Sequence, residues 1–224
     1  MRRVEFFSQN RRLVGVFHQV KNKEKAPVVI TSHGLESYKD SDKYLRIAER
    51  FTIDFSVFRF DFSGCGESEG DMTEDLPNRI YDLIAAIDLM KKQPYVDPDR
   101  IGLLGSSMGG YLSILAANKE KIGAVVTWSA PYILELNLDG LDERSLASLK
   151  IDARNIIKKI KSPILLIHGD KDDIVPLSHA VELYKNANTP KELKIIKGAD
   201  HRFLNVAYRE EAINLSLEWF KRYL

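Results

Sequence analysis

Short apolar runs alternate with helix-spaced apolar positions along most of the chain. The runs cover 27–31, 56–60, 101–104, 124–128, 163–167 and 193–196, and most are apolar at consecutive positions. A strand that is apolar on both sides has no solvent face, so this pattern predicts strands covered by helices above and below. Between them, Tyr44, Ile47, Ala48 and Phe51 recur at i, i+3, i+4 and i+7, and so do Ile80, Leu83, Ile84 and Ile87. Ile213, Leu217 and Phe220 mark a closing helix. The opening reads differently: 4–8 and 13–19, separated by the polar Gln9-Asn10-Arg11-Arg12, predict a hairpin. The expected class is α/β, a mostly parallel, doubly wound sheet with right-handed crossovers behind an N-terminal antiparallel hairpin. In such sheets ligands sit beyond the carboxyl ends of the strands.

One stretch breaks the alternation. Residues 129–162 are too many for a simple connection and carry Ile133, Leu134, Leu136, Leu138, Leu141, Leu146 and Leu149 among acidic residues. They are read as a small cap over the site, with Leu141 and Leu146 as candidate substrate-contacting residues. The competing reading is an ordinary crossover with one helix at 153–160.

Composition narrows the function classes. The 224 residues carry 33 Lys and Arg against 32 Asp and Glu, a net charge of +1. A nucleic-acid protein would show a basic excess or stripe, and Lys158, Lys159 and Lys161 look like a solvated helix end. No stretch approaches a membrane span, and no apolar run near the start is long enough for a signal peptide. The sole cysteine, Cys65, excludes an intramolecular disulfide and reads as an inert small residue. The expectation is one cytoplasmic domain over 1–224, with the cap inserted at about 129–162.

The chemistry starts at Gly105-Ser106-Ser107-Met108-Gly109, set between the apolar run ending at Leu104 and a helix-forming segment from Tyr111. Gly-x-Ser-x-Gly between strand and helix describes a nucleophile elbow. The turn is so tight that side chains at the two flanking positions would meet backbone, and the serine hydroxyl is held clear of the sheet at a helix N-terminus. A serine hydroxyl needs a base, and the base an orienting group. Of the five histidines, His201 follows the last strand in a loop at the carboxyl edge, within reach of Ser107. His18 and His179 read as surface or packing residues, and His33 and His168 as residues that shape loops by hydrogen bonding. The orienting carboxylate belongs after the run 163–167, where Asp170, Asp172 and Asp173 compete and physical reasoning alone does not choose. The two left over would cap the helix that follows Pro176 or face water.

The chain order serine, aspartate, histidine is that of the α/β-hydrolase triad. His168, Gly169, Asp172, Val175 and Pro176 match His-Gly-x-x-Asp-x-x-Val-Pro, which resembles the acid-loop motif of α/β-hydrolase-fold esterases. Gly198-Ala199-Asp200-His201 resembles their histidine loop, and the 61–68 segment their Asp-x-x-Gly-x-Gly-x-Ser turn. The resemblance spans most of the chain. It is closest to small-cap serine esterases, the group that includes bacterial feruloyl (cinnamoyl) esterases and monoacylglycerol-lipase-like enzymes. It implies Asp172 as the acid, and backbone N–H groups of Leu35 and Met108 as oxyanion donors. It further implies an acyl-enzyme mechanism on a small-molecule ester, with no metal or organic cofactor.

Other functional classes could draw on some of the same residues. A dinucleotide site fails because Glu69 stands where the third glycine is needed. A metal site could draw on His168, Asp170, Asp172, Asp173, Asp200 and His201, but leaves the elbow unexplained. A silent ligand-binding relative, or a thioesterase or amide hydrolase on the same triad, would share these residues. Trp128 and Tyr132 read equally as packing or as substrate contacts, and Gly64 and Gly66 as a structural turn near the site.

Overall fold

The computed structural model describes residues 1–21, 24–134 and 151–224. Eight strands, β1 (Arg2–Ser8), β2 (Arg11–His18), β3 (Ala26–Ser32), β4 (Ser56–Phe60), β5 (Val96–Ser106), β6 (Ala124–Trp128), β7 (Ile164–Gly169) and β8 (Lys191–Ile196), form one sheet in the order β1-β2-β4-β3-β5-β6-β7-β8. The opening hairpin β1–β2 joins the sheet antiparallel to β4, and every other pairing is parallel.

Among the described residues six α-helices flank it: α1 (Asp42–Phe51), α2 (Arg79–Lys91), α3 (Met108–Lys119), α4 (Ala153–Ile157), α5 (Ser178–Asn186) and α6 (Val206–Tyr223). Successive strand residues feed opposite sides. Val28 and Ile30, Leu103, Val125, Ile164 and Leu166 pack with α2, α3, α4 and α5. Val29, Leu104, Val126, Leu165 and Ile167 pack with α1 and α6. This is why those runs carry apolar residues on both faces, each worth about 1.5–3 kcal/mol per buried aliphatic side chain.

Some expectations need correction. The run 193–196 belongs to β8, an edge strand, and Ile195 is exposed because no further strand or helix covers it. The buried face of α2 is rotated by about one residue from the one expected: Leu83 and Ile87 are buried, while Ile80 and Ile84 sit at its margin. Arg79 and Asp82 take the vacated positions and are fully buried, so polar residues interrupted the apolar spacing. The helix expected at 153–160 ends at Ile157. Residues 135–150, which hold Leu136, Leu138, Leu141, Leu146 and Leu149, lie outside the described residues.

Candidate active site

The elbow joins β5 to α3. Ser107 has φ 55° and ψ −123°, a conformation that costs a non-glycine residue about 1–3 kcal/mol and persists only where surroundings enforce it. The enforcement is visible on both flanks. A Cβ on Gly105 would lie 2.2 Å from Gly109 O, and one on Gly109 would lie 2.1 Å from Ser32 O. The Ser107 N–H is held by Trp128 O at 2.8 Å.

His201 and Asp172 reach this serine from two neighbouring strand ends. His201 Nε2 stands 3.1 Å from Ser107 Oγ, and its Nδ1 lies 2.9 Å from Asp172 Oδ2 and 3.0 Å from Oδ1. Asp172 is oriented in turn by the N–H groups of Ile174 and Val175, at 3.0 and 2.8 Å. Burial by itself would raise its pKa. The rings of His168 and His201, with the Val175 N–H, outweigh that and hold the carboxyl far below the usual carboxylate range. Its side chain is fully buried, that of His201 nearly so.

His168 was expected to shape a loop, and it does more. Its Nε2 lies 2.8 Å from Val175 O and 3.2 Å from Asp172 Oδ2, a second ring on the same carboxylate. The four-residue spacing from His168 to Asp172 was a usable signal. Asp170 neither caps a helix nor lacks a partner: its Oδ1 accepts the Gly198 N–H at 2.6 Å and ties the acid loop to the histidine loop. Asp173 faces water. Among the described residues no cluster of His, Cys, Asp or Glu has the spacing to hold a metal ion. Asp200 is engaged by the Leu204 N–H instead.

The loop after β3 passes the serine on its other side. A Cβ on Gly34 would lie 3.4 Å from Ser107 Cβ, which brings Leu35 beside the elbow. His33 holds this loop as expected: its Nε2 accepts the Phe62 N–H at 3.0 Å and its Nδ1 donates to Gly34 O at 2.7 Å. Burial pushes His33 down to about 3, so it is neutral and can accept. A buried ionic brace, absent from the sequence reading, fixes the rest. Lys39 Nζ donates to Asp61 at 2.9 Å, Asp40 at 2.8 Å and Glu67 at 2.6 Å, and Asp61 Oδ1 accepts the Lys39 N–H at 2.6 Å. Burial alone would lower the Lys39 pKa, but these carboxylates hold it above its ordinary value.

Ser107, Leu35, Met108 and His201 all line one cavity of about 750 Å³. Pro131, Ile133, Leu134, Val175 and Pro176 supply an apolar wall. His179, expected at the surface or in packing, also lines it, its ring stacked 4.2 Å from Tyr132 and its Nδ1 accepting the Tyr132 N–H. Trp128 is a packing residue, fully buried with Nε1 donating to Ser216 Oγ at 3.0 Å. Cys65 is buried and its thiol pushed up by burial, which makes it a poor nucleophile. Leu141 and Leu146 fall outside the described residues. Among the described residues no helix is long and apolar enough to cross a membrane.

A parallel sheet entered by an antiparallel hairpin, with a serine elbow at its carboxyl edge, defines the α/β-hydrolase fold. The chain belongs to the dienelactone hydrolase family, whose sequence pattern matches residues 68–224. It is 34% identical over 176 residues to YfhR of Escherichia coli O157:H7, an alignment that covers 73% of this chain and 61% of that protein. The chain thus spans about three-fifths of that relative's length. Among solved structures it is similar to Est1E of Butyrivibrio proteoclasticus with ferulic acid bound, with a TM-score of 0.84 and 23% identity over 97% of this chain and 99% of that one. It is likewise similar to the Pyrococcus furiosus esterase Pf2001, with a TM-score of 0.81 and 26% identity over 99% and 92%.

Proposed function

We propose that the chain is a serine hydrolase that cleaves carboxylic esters of small to medium size through an acyl-enzyme. The observation that carries this reading is the unbroken hydrogen-bond chain from Ser107 through His201 to Asp172, opening on a cavity of ligand size. The similarity to an esterase, Pf2001, and to Est1E with its bound ferulic acid supports the same chemistry.

In this reading Ser107 Oγ attacks the ester carbonyl while His201 Nε2 takes its proton. Asp172 keeps the imidazole in the tautomer with hydrogen on Nδ1 and stabilises the imidazolium that forms. The N–H groups of Leu35 and Met108 receive the oxyanion; Met108 opens α3, so its N–H has no acceptor within the helix. Loss of one such donor typically costs about 10²–10³ in turnover. His201 then protonates the leaving alcohol, and water activated by the same ring releases the acid. The steps need no metal or organic cofactor. The chain is proposed as one domain over 1–224; of the cap expected at about 129–162, residues 135–150, with the candidate contacts Leu141 and Leu146, fall outside the described residues.

A fluorophosphonate probe tests the reading. Stoichiometric labelling at Ser107, lost in Ser107→Ala and in His201→Ala, is the expected result. A folded protein that is not labelled would sink it.

A further inference from the structure

The cavity has charged lining residues that the proposed acyl transfer does not use. Besides its apolar residues the cavity is lined by three cations, Lys43, Arg202 and Arg209. Arg202 is paired with Glu36 at 3.1 Å, and Arg209 with the exposed Asp42 at 3.5 Å. The Arg209 Nε is buried without a hydrogen-bond partner among the described residues. Lys43 is different again. From the first turn of α1 its Nζ reaches under the elbow and donates to Ser106 Oγ at 2.8 Å, on the residue preceding the candidate nucleophile. It lies 5.6 Å from the ring centroids of both Tyr44 and Trp128. Among the described residues no carboxylate stands within ion-pair distance of it.

An ammonium taken out of water is unfavourable unless a counter-charge accompanies it. One hydroxyl and two ring faces supply only part of that compensation. The strain registers as a Lys43 pKa pushed down to about 8, chiefly by burial and then by the neighbouring Arg209; the Asp200 charge opposes this and Arg202 adds to it. Lys39, four residues earlier, offers the internal contrast: it too is buried, yet it has three carboxylates. A lysine with a structural task in this fold is given its counter-ions, whereas the one facing the cavity is not.

We propose that this end of the cavity binds an anionic oxygen group of the substrate, a carboxylate or a phosphate, with Lys43 as the residue that pairs with it. The substrate class is then an anionic ester: its carbonyl at Ser107, its apolar part against Leu134, Val175 and Pro176, and its charge at Lys43. This rests on the esterase reading, which the preceding fluorophosphonate labelling tests separately.

The experiment compares kcat/KM for neutral p-nitrophenyl butyrate with three anionic esters: p-nitrophenyl hemiglutarate, 4-butyryloxybenzoate and 4-butyryloxyphenyl phosphate. The first carries its charge on the acyl side; the others carry a carboxylate or a phosphate on the alcohol side. Wild type should prefer at least one anionic ester over the butyrate. Lys43→Met should lower that anionic-to-neutral ratio by roughly ten- to a hundredfold, mainly through KM, the range for a hydrogen bond to a charged group. Lys43→Arg should restore part of it. The ester that responds identifies which side and which anion the site takes. Absence of any anionic preference in wild type overturns the proposal, and so does an equal loss on neutral and anionic esters in Lys43→Met, which would make Lys43 a support for the elbow. If labelling at Ser107 fails and no ester turns over, the esterase reading fails. Calorimetric titration with glutarate and with inorganic phosphate then decides the anion site alone: binding weakened by Lys43→Met upholds it, and no binding overturns it.

Discussion

The two loops that flank Ser107 are held by different physics. The acid loop after β7 is fixed by short hydrogen bonds around one carboxylate. Asp172 gathers two backbone N–H groups from within three residues, together with the rings of His168 and His201, and Asp170 adds one bond to Gly198. The loop after β3 is fixed by a buried ion pair, Lys39 with Asp61, extended by Asp40, Glu67 and the Arg59 bond to Lys39 O at 3.0 Å. In the proposed mechanism the first arrangement tunes a charge that the chemistry uses. The second only sets where a backbone N–H points, and it does so with charges that do not line the cavity.

The largest effect should follow from breaking the acid loop at its carboxylate. Asp172→Asn keeps the size but favours the wrong imidazole tautomer, and turnover should fall by about 10⁴ with the fold intact. Asp170→Asn, which keeps an oxygen for the Gly198 N–H, should cost far less. Steady-state rates of the two variants decide it; if Asp170→Asn is the more damaging, the acid is misassigned.

The ionic loop should fail through stability. Lys39→Met leaves Asp61 buried without its cation, a change that typically costs about 3–5 kcal/mol. Urea denaturation should show that loss, and the folded fraction should turn over more slowly, with kcat more affected than KM. An unchanged urea midpoint would mean that the brace is not needed to hold the loop.

The smallest effect concerns pH. His33 is held down to about 3 by burial, against an ordinary 6.5, so the unfolded chain takes up this proton first. Its contribution is complete above pH 6.5 and is lost as the pH falls from 6.5 towards 3. Asp172 acts in the same direction lower down, since its carboxyl lies below the ordinary 3.8 and its contribution fades as the pH drops below that value. Urea midpoints should decline from pH 7 to pH 4, and more gently in His33→Asn. A midpoint that rises on acidification would contradict the neutral, accepting role of this ring.

The same contrast explains what could be read from residues alone. Strands such as β4 and β6 were legible to the residue because burial on both faces leaves a mostly apolar run, interrupted only by the buried Ser56, Arg59 and Thr127. Asp172 stood out only through the motif around it, since three aspartates share the loop and burial does not show in a sequence. The Lys39 brace joins residues 22 and 28 positions apart, and within Tyr38-Lys39-Asp40 nothing separates a buried lysine from a solvated one. Lys43 was hidden for a related reason: it occupies a polar position of an amphipathic helix, where a solvated side chain is the ordinary case. Arg79 and Asp82 hid by displacing the apolar stripe of α2.

Initial rates on p-nitrophenyl esters of increasing acyl length, for wild type and Ser107→Ala in parallel, test the central claim most directly. The account predicts turnover by wild type with an optimum at short to medium chains, and a loss on the order of 10⁶ in Ser107→Ala. Turnover that survives the substitution, or a well-folded wild type that hydrolyses none of these esters, would contradict it.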